Sequence, residues 1–231
     1  MKIPVSDRLL ACCEMIRPGD RVADVGTDHG YLGIYLLKKG IASFVIASDI
    51  NPQPLDSARR NAEKYGVKEQ MTFHLSDGVQ NIPRDFDCLV CAGMGGDTMI
   101  HIFENAPWLR DPRYRLVLQC QSRRPELRCY LNEQGFRILR EKLSQDGKFI
   151  YPVMEIVYEP GQSLCGAQLH ITPMLLESGD PLLPAFYDRV CSGVEITVEG
   201  LRHSGGEKFA HYQKLLTELK EMEGRIRGNG S

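Results

Sequence analysis

The sequence predicts an α/β fold: a doubly wound, mainly parallel sheet that ends in an antiparallel hairpin, followed by a C-terminal helical hairpin. Three observations carry this. Short β-branched runs alternate with helical periods from residue 7 to residue 134, which argues for parallel strands covered on both faces. Two closing strand-like runs are joined through Asp146-Gly147, a tight-turn signal. After Pro160-Gly161 the strand periods cease, and apolar residues recur only at three- and four-residue steps.

Taken in order, residues 7–16 place Leu9, Leu10, Cys13 and Ile16 on one helical face, and Pro18-Gly19 ends that helix. Val22 and Ala23 lie in a strand over 21–25, which turns on glycines into a helix over 30–39 carrying Leu32, Tyr35 and Leu36. Strand 43–48, helix 53–65 and strand 71–75 follow. Strand 87–92 precedes a helix near 97–105, strand 115–120 precedes a helix over 125–134, and strands near 136–143 and 149–158 close the sheet. Farther on, Leu183, Phe186, Val190, Val194, Thr197 and Leu201 form one apolar stripe. Phe209, Tyr212, Leu216, Leu219, Met222 and Ile226 form a second, with the turn-forming segment 202–207 between them. Two such helices bury their stripes against each other. The expected domains are therefore 1–160 and a helical, coiled-coil-like 161–231. The tail Gly228-Asn229-Gly230-Ser231 is expected to fray.

At 231 residues the chain has room for one large domain and an appendage, and its composition is that of an ordinary globule. A net charge of −2 excludes a global electrostatic footprint for nucleic acid, so such a partner must meet a local patch. No run reaches membrane-spanning length, and Met1-Lys2-Ile3-Pro4 lacks a signal-peptide core. A cytoplasmic location without a membrane partner is expected. Of the cysteines, only Cys88 and Cys91 have a metal-like spacing. They fall in a buried strand, where positions three apart point to opposite faces, and no second pair completes a zinc set. No metal is expected; the cysteines read as small core residues in a reducing compartment.

The segment Asp24-Val25-Gly26-Thr27-Asp28-His29-Gly30-Tyr31 is the most informative. A strand that turns on glycines into a helix cradles a nucleotide in doubly wound folds. The dinucleotide fingerprint would put a glycine where Asp28 stands. A carboxylate there repels a pyrophosphate, at a cost of several kcal/mol in a half-buried cleft, and favours a cation. S-adenosylmethionine carries a sulfonium, an ammonium and no phosphate, so the turn reads as a methyl-donor site; a plain strand–turn–helix is the simpler alternative.

Asp49, in Ala47-Ser48-Asp49-Ile50-Asn51, lies about twenty residues past the turn, where a carboxylate accepts hydrogen bonds from ribose hydroxyls. Alternatively it caps the next helix, a task Asn51-Pro52 is also placed to do. Ser76-Asp77-Gly78 ends the third strand with a carboxylate suited to an adenine amino group. Ala92-Gly93-Met94-Gly95-Gly96 closes the fourth strand with glycines that permit close approach, and Met94 is expected against a flat base or the donor. The Asn/Asp-Pro-Pro-aromatic loop that grips exocyclic amines is absent, which suits a ring nitrogen with its own lone pair. His29 and Tyr31 flank the turn, His29 as a structural hydrogen-bonder or a catalytic group. Arg110, Arg113, Arg115, Arg123, Arg124, Arg128, Arg137, Arg140, Lys142 and Lys148 outnumber the acids of the same third of the chain. They either track phosphates or sit on solvated helix faces.

Together these residues resemble one family, the bacterial tRNA (adenine-22)-N1-methyltransferases. The resemblance runs through 21–31, 47–51, Asp77-Gly78, 92–96, 146–149 and the C-terminal helical hairpin, nearly the whole chain. Gly33 and Cys120 depart from it, each standing where the family shows Pro. The resemblance implies a class I methyltransferase (Rossmann-like) domain with a coiled-coil-like appendage. It implies S-adenosyl-L-methionine as methyl donor and N1 of adenine 22 in tRNA as acceptor. Asp28, His29 and Tyr31 are then the catalytic candidates: Asp28 lies near the developing positive charge or orients the cofactor, and Tyr31 borders the target base. Asp24, Gly26, Thr27, Gly30, Asp49, Ile50, Asn51, Asp77, Gly78, Gly93 and Met94 are the candidates for holding the donor. The expected partner is tRNA, bound by a monomer or weak dimer. Two alternatives stay open: a same-fold methyltransferase acting on another RNA atom or a small molecule, and a non-catalytic module that binds donor and RNA.

Overall fold

A computed structural model describes residues 3–228; Met1 and Lys2, and the fraying expected for Asn229, Gly230 and Ser231, lie outside the described residues. In chain order the elements are α1 (Asp7–Cys13), β1 (Asp20–Val25), α2 (Tyr31–Lys38), β2 (Ala42–Asp49), α3 (Pro52–Tyr65), β3 (Met71–Leu75), β4 (Cys88–Met94) and α4 (Gly96–Glu104). Then follow β5 (Arg115–Cys120), α5 (Arg124–Glu133), β6 (Phe136–Asp146), β7 (Phe149–Tyr158), α6 (Pro173–Glu177), α7 (Leu183–Leu201) and α8 (Gly206–Gly228). The seven strands form one sheet in the order β3-β2-β1-β4-β5-β7-β6. The first five run parallel, and β7 is antiparallel to both β5 and β6. The strand order reverses between β1 and β4, and a crevice opens at such a switch point, beyond the carboxyl ends of the strands.

Burial on both faces explains the near-continuous apolar runs: every residue of β5 is buried, and so are the first four of β4. Val22, Val90, Val117 and Val153 join Ala11, Cys12, Ile34 and Leu36 in one core cluster that ties α1 and α2 to the sheet. Each buried Val, Leu or Ile among them contributes roughly 1.5–3 kcal/mol. Gly33 belongs to this packing: a Cβ there would stand 2.8 Å from Val45 Cγ1 and 3.2 Å from Met71 Cε, so its absence lets α2 lie close on β2 and β3. At the other departure, buried Cys120 turns its Sγ to the Ser122 carbonyl at 2.9 Å.

Three details differ from the sequence reading. Helix α1 ends at Cys13 rather than Ile16, because Met15 and Ile16 take tighter bonds to the carbonyls of Cys12 and Cys13. Strand β6 runs on to Asp146, pairing it with Phe149 across Gly147-Lys148, with Gly147 at φ 58. The helical hairpin's buried stripe is only partly the expected one, keeping Leu183, Phe186, Val194, Leu219 and Ile226. Val190, Thr197, Leu201, Phe209, Tyr212, Leu216 and Met222 are only half-buried. The buried positions are Leu183, Phe186, Tyr187, Cys191 and Val194 on α7, and Leu215, Leu219 and Ile226 on α8. The short helix α6, opened by Thr172 accepting the Leu175 N–H at 3.1 Å and by Pro173, brings Leu175 and Leu176 into the same unit and shares the burial.

The chain divides into two compact units between Gln162 and Ser163. Within the second, Lys220 pairs with Glu195 at 3.1 Å and Arg227 with Asp188 at 2.7 Å, so α7 and α8 run antiparallel; the Tyr187 hydroxyl donates to the Leu219 carbonyl at 3.1 Å. No helix among the described residues is long and apolar enough to cross a membrane.

Candidate methyl-donor site

The end of β1 and the turn after it are built from backbone conformations that side chains rarely adopt. Gly26 and Gly30 have φ 72 and 73, and the N–H groups of Gly26 and Thr27 both donate to the Ser48 carbonyl at 2.9 Å. A Cβ on Gly30 would lie 2.9 Å from Ala58 Cβ, so the glycine lets α3 close on the turn. Asn61 Nδ2 donates to the His29 carbonyl at 2.9 Å and pins the turn to that helix. Asp28 holds φ 53 although it is not glycine; its N–H reaches Asp49 Oδ2 at 3.3 Å.

Between this turn and the end of β4 lies a cavity of about 280 Å³, at the strand-order reversal. Its walls bring together Asp24, Gly26, Thr27, Asp28, His29, Tyr31 and Gly93 from among the predicted residues. Asp49 ends β2 alongside with Ile50 and Asn51 just after it, and Asp77 and Gly78 follow β3; none of these five lines the cavity. Ile50 and Leu75 keep 61% and 56% of their surface exposed at those neighbouring strand ends, an apolar flank beside the polar cleft.

The charges are unevenly buried. Asp24 is 4% exposed and accepts the Thr27 hydroxyl at 2.7 Å. Burial pushes its carboxyl from 3.8 up to about 6; the Asp49 and Asp28 carboxylates push the same way, and the Thr27 hydrogen bond opposes them. No cationic side chain pairs with Asp24 among the described residues, so a buried negative charge faces the cavity without a counter-ion. Asp49 is nearly buried too, but its Oδ1 accepts the Asn51 N–H at 2.9 Å. Asn51, also placed to cap α3, makes no side-chain cap bond; Asp49 shapes the entry to that helix. The Asp28 carboxylate is 71% exposed, 3.6 Å from His29 Nε2, and the His29 and Tyr31 rings stand 5.8 Å apart. Asp77 lies 3.7 Å from His101 Nε2.

A Cβ on Gly26 would collide with Met94 Cε, so the Met94 side chain packs on the turn. Gly93, at φ 82, sits at a break in the β4–β5 register, and its N–H donates to Gln119 Oε1 at 3.0 Å.

Sequence reasoning missed Arg8. Its guanidinium lines the cavity from α1, donates to Gln119 Oε1 at 3.2 Å and stands 3.6 Å from Asp146. A Cβ at Gly93 would lie 3.1 Å from its Nη1. One signal was present: Arg8 is a cation in the first turn of a helix, where the helix dipole disfavours it.

Much of the positive excess in the basic third of the chain is met by acids. Arg115 is buried between Asp20 and Glu155, and Arg128 is buried on Glu141. Arg140, Arg137, Lys142, Arg123 and Arg113 pair with Glu155, Glu159, Glu14, Asp97 and Asp111. Most of these acids lie outside the stretch in which the positive excess was counted. Cys88 and Cys91 are both fully buried, and burial pushes both thiols up, so they stay protonated. No cluster of potential metal ligands occurs among the described residues.

The family model described as a methyltransferase domain matches residues 5–154, more than half of the chain. The tRNA (adenine(22)-N(1))-methyltransferase of Bacillus subtilis is 33% identical over 149 residues, covering 64% of this chain and 63% of that protein. The match thus spans just under two thirds of the relative's length. Among solved structures, a protein of the NADB-Rossmann superfamily from Streptococcus agalactiae superposes with a TM-score of 0.87 at 25% identity, covering 96% of this chain and 99% of the other. Streptococcus pneumoniae Sp1610, solved in complex with S-adenosyl-L-methionine, gives 0.80 at 26% identity over 92% and 99% of the two chains.

Proposed function

This chain belongs to the methyltransferase-domain family, and from that premise we propose that it transfers a methyl group from S-adenosyl-L-methionine to N1 of adenine 22 in tRNA. The observation that carries the donor assignment is Asp24, a buried carboxylate at the cavity wall without a cationic partner among the described residues. The donor's ammonium is the group it fits. The bound donor in the Streptococcus pneumoniae neighbour supports the same ligand, and the named activity of the Bacillus subtilis relative supports the acceptor.

S-adenosylmethionine, when bound, supplies an electrophilic methyl group on a sulfonium. The chain's own part is to hold and orient. Thr27 fixes the Asp24 carboxylate; Gly26, Gly30 and Gly93 let backbone approach the ligand; Arg8 is the cation for the donor's amino-acid carboxylate. Asp49 with Ile50 and Asn51 borders the ribose, and Asp77 with Gly78 borders the adenine. Orientation of two bound reactants supplies most of the rate. Asp28 adds a carboxylate near the charge that develops on the target ring and accepts the N6 proton, or it orients the donor. His29 and Tyr31 line the acceptor side. We assign this chemistry to 1–160 and a tRNA-gripping role to 161–231, supported by the division of the chain after Gln162. A cytoplasmic monomer or weak dimer is in keeping with the protonated buried thiols and with Ile196 as the single large apolar side chain exposed on α7.

The test is incubation with unmodified tRNA transcripts and labelled donor, then digestion and mass spectrometry. N1-methyladenosine at position 22 is expected. Label on another nucleoside, or on small molecules only, would overturn the acceptor assignment. The Arg8 role has its own check: Arg8→Met is expected to weaken S-adenosylhomocysteine roughly 10- to 100-fold, the worth of a charge-assisted hydrogen bond. It should leave 5′-methylthioadenosine, which lacks the carboxylate, within about twofold. Equal losses for both ligands by calorimetry would remove Arg8 from the carboxylate.

A further inference from the structure

We propose that the tip of the β6–β7 hairpin is the platform on which the target base stacks, with Phe149 as the stacking face; this rests on the RNA-methylating reading above. Three observations converge on it.

The first is position. Strand β7 pairs with β5 only as far as Gln119 with Val153. With β5 ending one residue later at Cys120, residues 149–151 overhang the carboxyl edge of the parallel strands by roughly 10 Å, at about 3.3 Å per residue. The overhang belongs to the β5 side of the sheet, across β4 from the ribose-bordering end of β2.

The second is exposure. Phe149 keeps 52% of its surface in solvent although it is a large apolar ring. Lys148 Nζ stands 5.3 Å from its centroid, and the Tyr151 ring lies 6.0 Å away at an interplanar angle of 34°. An open aromatic face with an adjacent point charge is the pairing that single-stranded nucleic acid uses, the ring for a base and the ammonium for its phosphate. A protein partner has no need of the cation over the ring.

The third is a physical tie to the cavity. Asp146 sits opposite Phe149 in the ladder, and its Oδ2 is 3.6 Å from Arg8 Nε. Arg8 in turn lines the cavity. A base extruded from the folded RNA loses its stacking partners, and a ring beside the donor site restores one of them.

Phe149→Ala and Phe149→Trp test this, with S-adenosylhomocysteine calorimetry as the check on an intact donor site. Loss of one stacked base is expected to lower kcat/KM for tRNA roughly 5- to 150-fold in Phe149→Ala. Phe149→Trp should stay within about threefold of wild type, and both variants should keep wild-type affinity for S-adenosylhomocysteine. Unchanged kcat/KM in Phe149→Ala, a parallel loss of S-adenosylhomocysteine binding, or failure of Trp to restore the rate would overturn the platform. Wild-type protein that binds S-adenosylhomocysteine and methylates no tRNA would overturn the functional reading, and the RNA base named here with it.

Discussion

Replacing Asp24 with Asn is expected to stabilise the unliganded protein while weakening S-adenosylhomocysteine binding about a hundredfold, the two effects running in opposite directions. Asp24 is buried, and burial pushes its carboxyl from 3.8 up to about 6. Between those values the folded protein holds a proton that the unfolded chain has released. Stability is therefore highest below about pH 4 as far as this group is concerned, and declines as the pH rises through about 6. Above that pH the charged Asp24 costs on the order of 3 kcal/mol, which Asn does not incur. The Asn amide oxygen can still accept the Thr27 hydroxyl, so the turn keeps its hydrogen bond. What Asn lacks is the charge for the donor's ammonium. In the wild type, binding should accordingly weaken up to about tenfold per pH unit as the pH falls below about 6, while the variant shows no such slope. Urea unfolding at pH 8 and calorimetric titrations between pH 5 and 8 measure both effects. A variant that is less stable and binds S-adenosylhomocysteine like wild type would contradict the assignment of Asp24.

The same residue marks how far the sequence could be read. The donor turn was legible because its conformation demands particular residues: Gly26, Gly30 and Gly93 hold φ 72, 73 and 82, and few other residues tolerate those values. The doubly wound sheet was legible because strands buried on both faces leave apolar runs that helical segments interrupt. Side-chain partnerships across the sheet were not. Arg8 meets Gln119 from 111 positions away, and nothing local announces it beyond an ill-placed positive charge. Met94 carries no mark that its methyl group fills the space left by Gly26. The basic stretch hid its partners for the same reason, since Lys142, Arg140 and Arg115 find their acids at Glu14, Glu155 and Asp20. Charge counted along a chain says little about charge exposed on a surface once β6 and β7 fold back on α1. Asp28 runs the other way: a local rule would have put glycine at its φ of 53, and the exception is where the ligand chemistry was read.

Arg128 separates the two meanings of that basic stretch. If it met phosphate, Arg128→Ala would leave thermal stability unchanged and flatten the salt dependence of tRNA binding. Its side chain is instead 1% exposed on α5, paired with a Glu141 side chain that is 0% exposed on β6. Removing either partner takes a buried charge's ion-pair partner away, at a cost of about 3–5 kcal/mol. For a chain of this size that corresponds to a fall in Tm of roughly 10 °C, in Arg128→Ala and Glu141→Ala alike. Removing both charges together is a different operation. Arg128→Met combined with Glu141→Leu takes away the attraction and the desolvation penalty at once, so the double variant is expected to recover most of the loss. Calorimetric melting of the three variants gives the cycle directly. Single variants within about 1 kcal/mol of wild type would show that the pair is solvated. The site has a stake in the outcome, because β6 carries Glu141 five positions before Asp146 and holds the hairpin tip against Arg8. A weakened α5–β6 contact should therefore lower methyl transfer to tRNA before it lowers S-adenosylhomocysteine binding, since the donor turn belongs to β1 and α2 at the other side of the switch point.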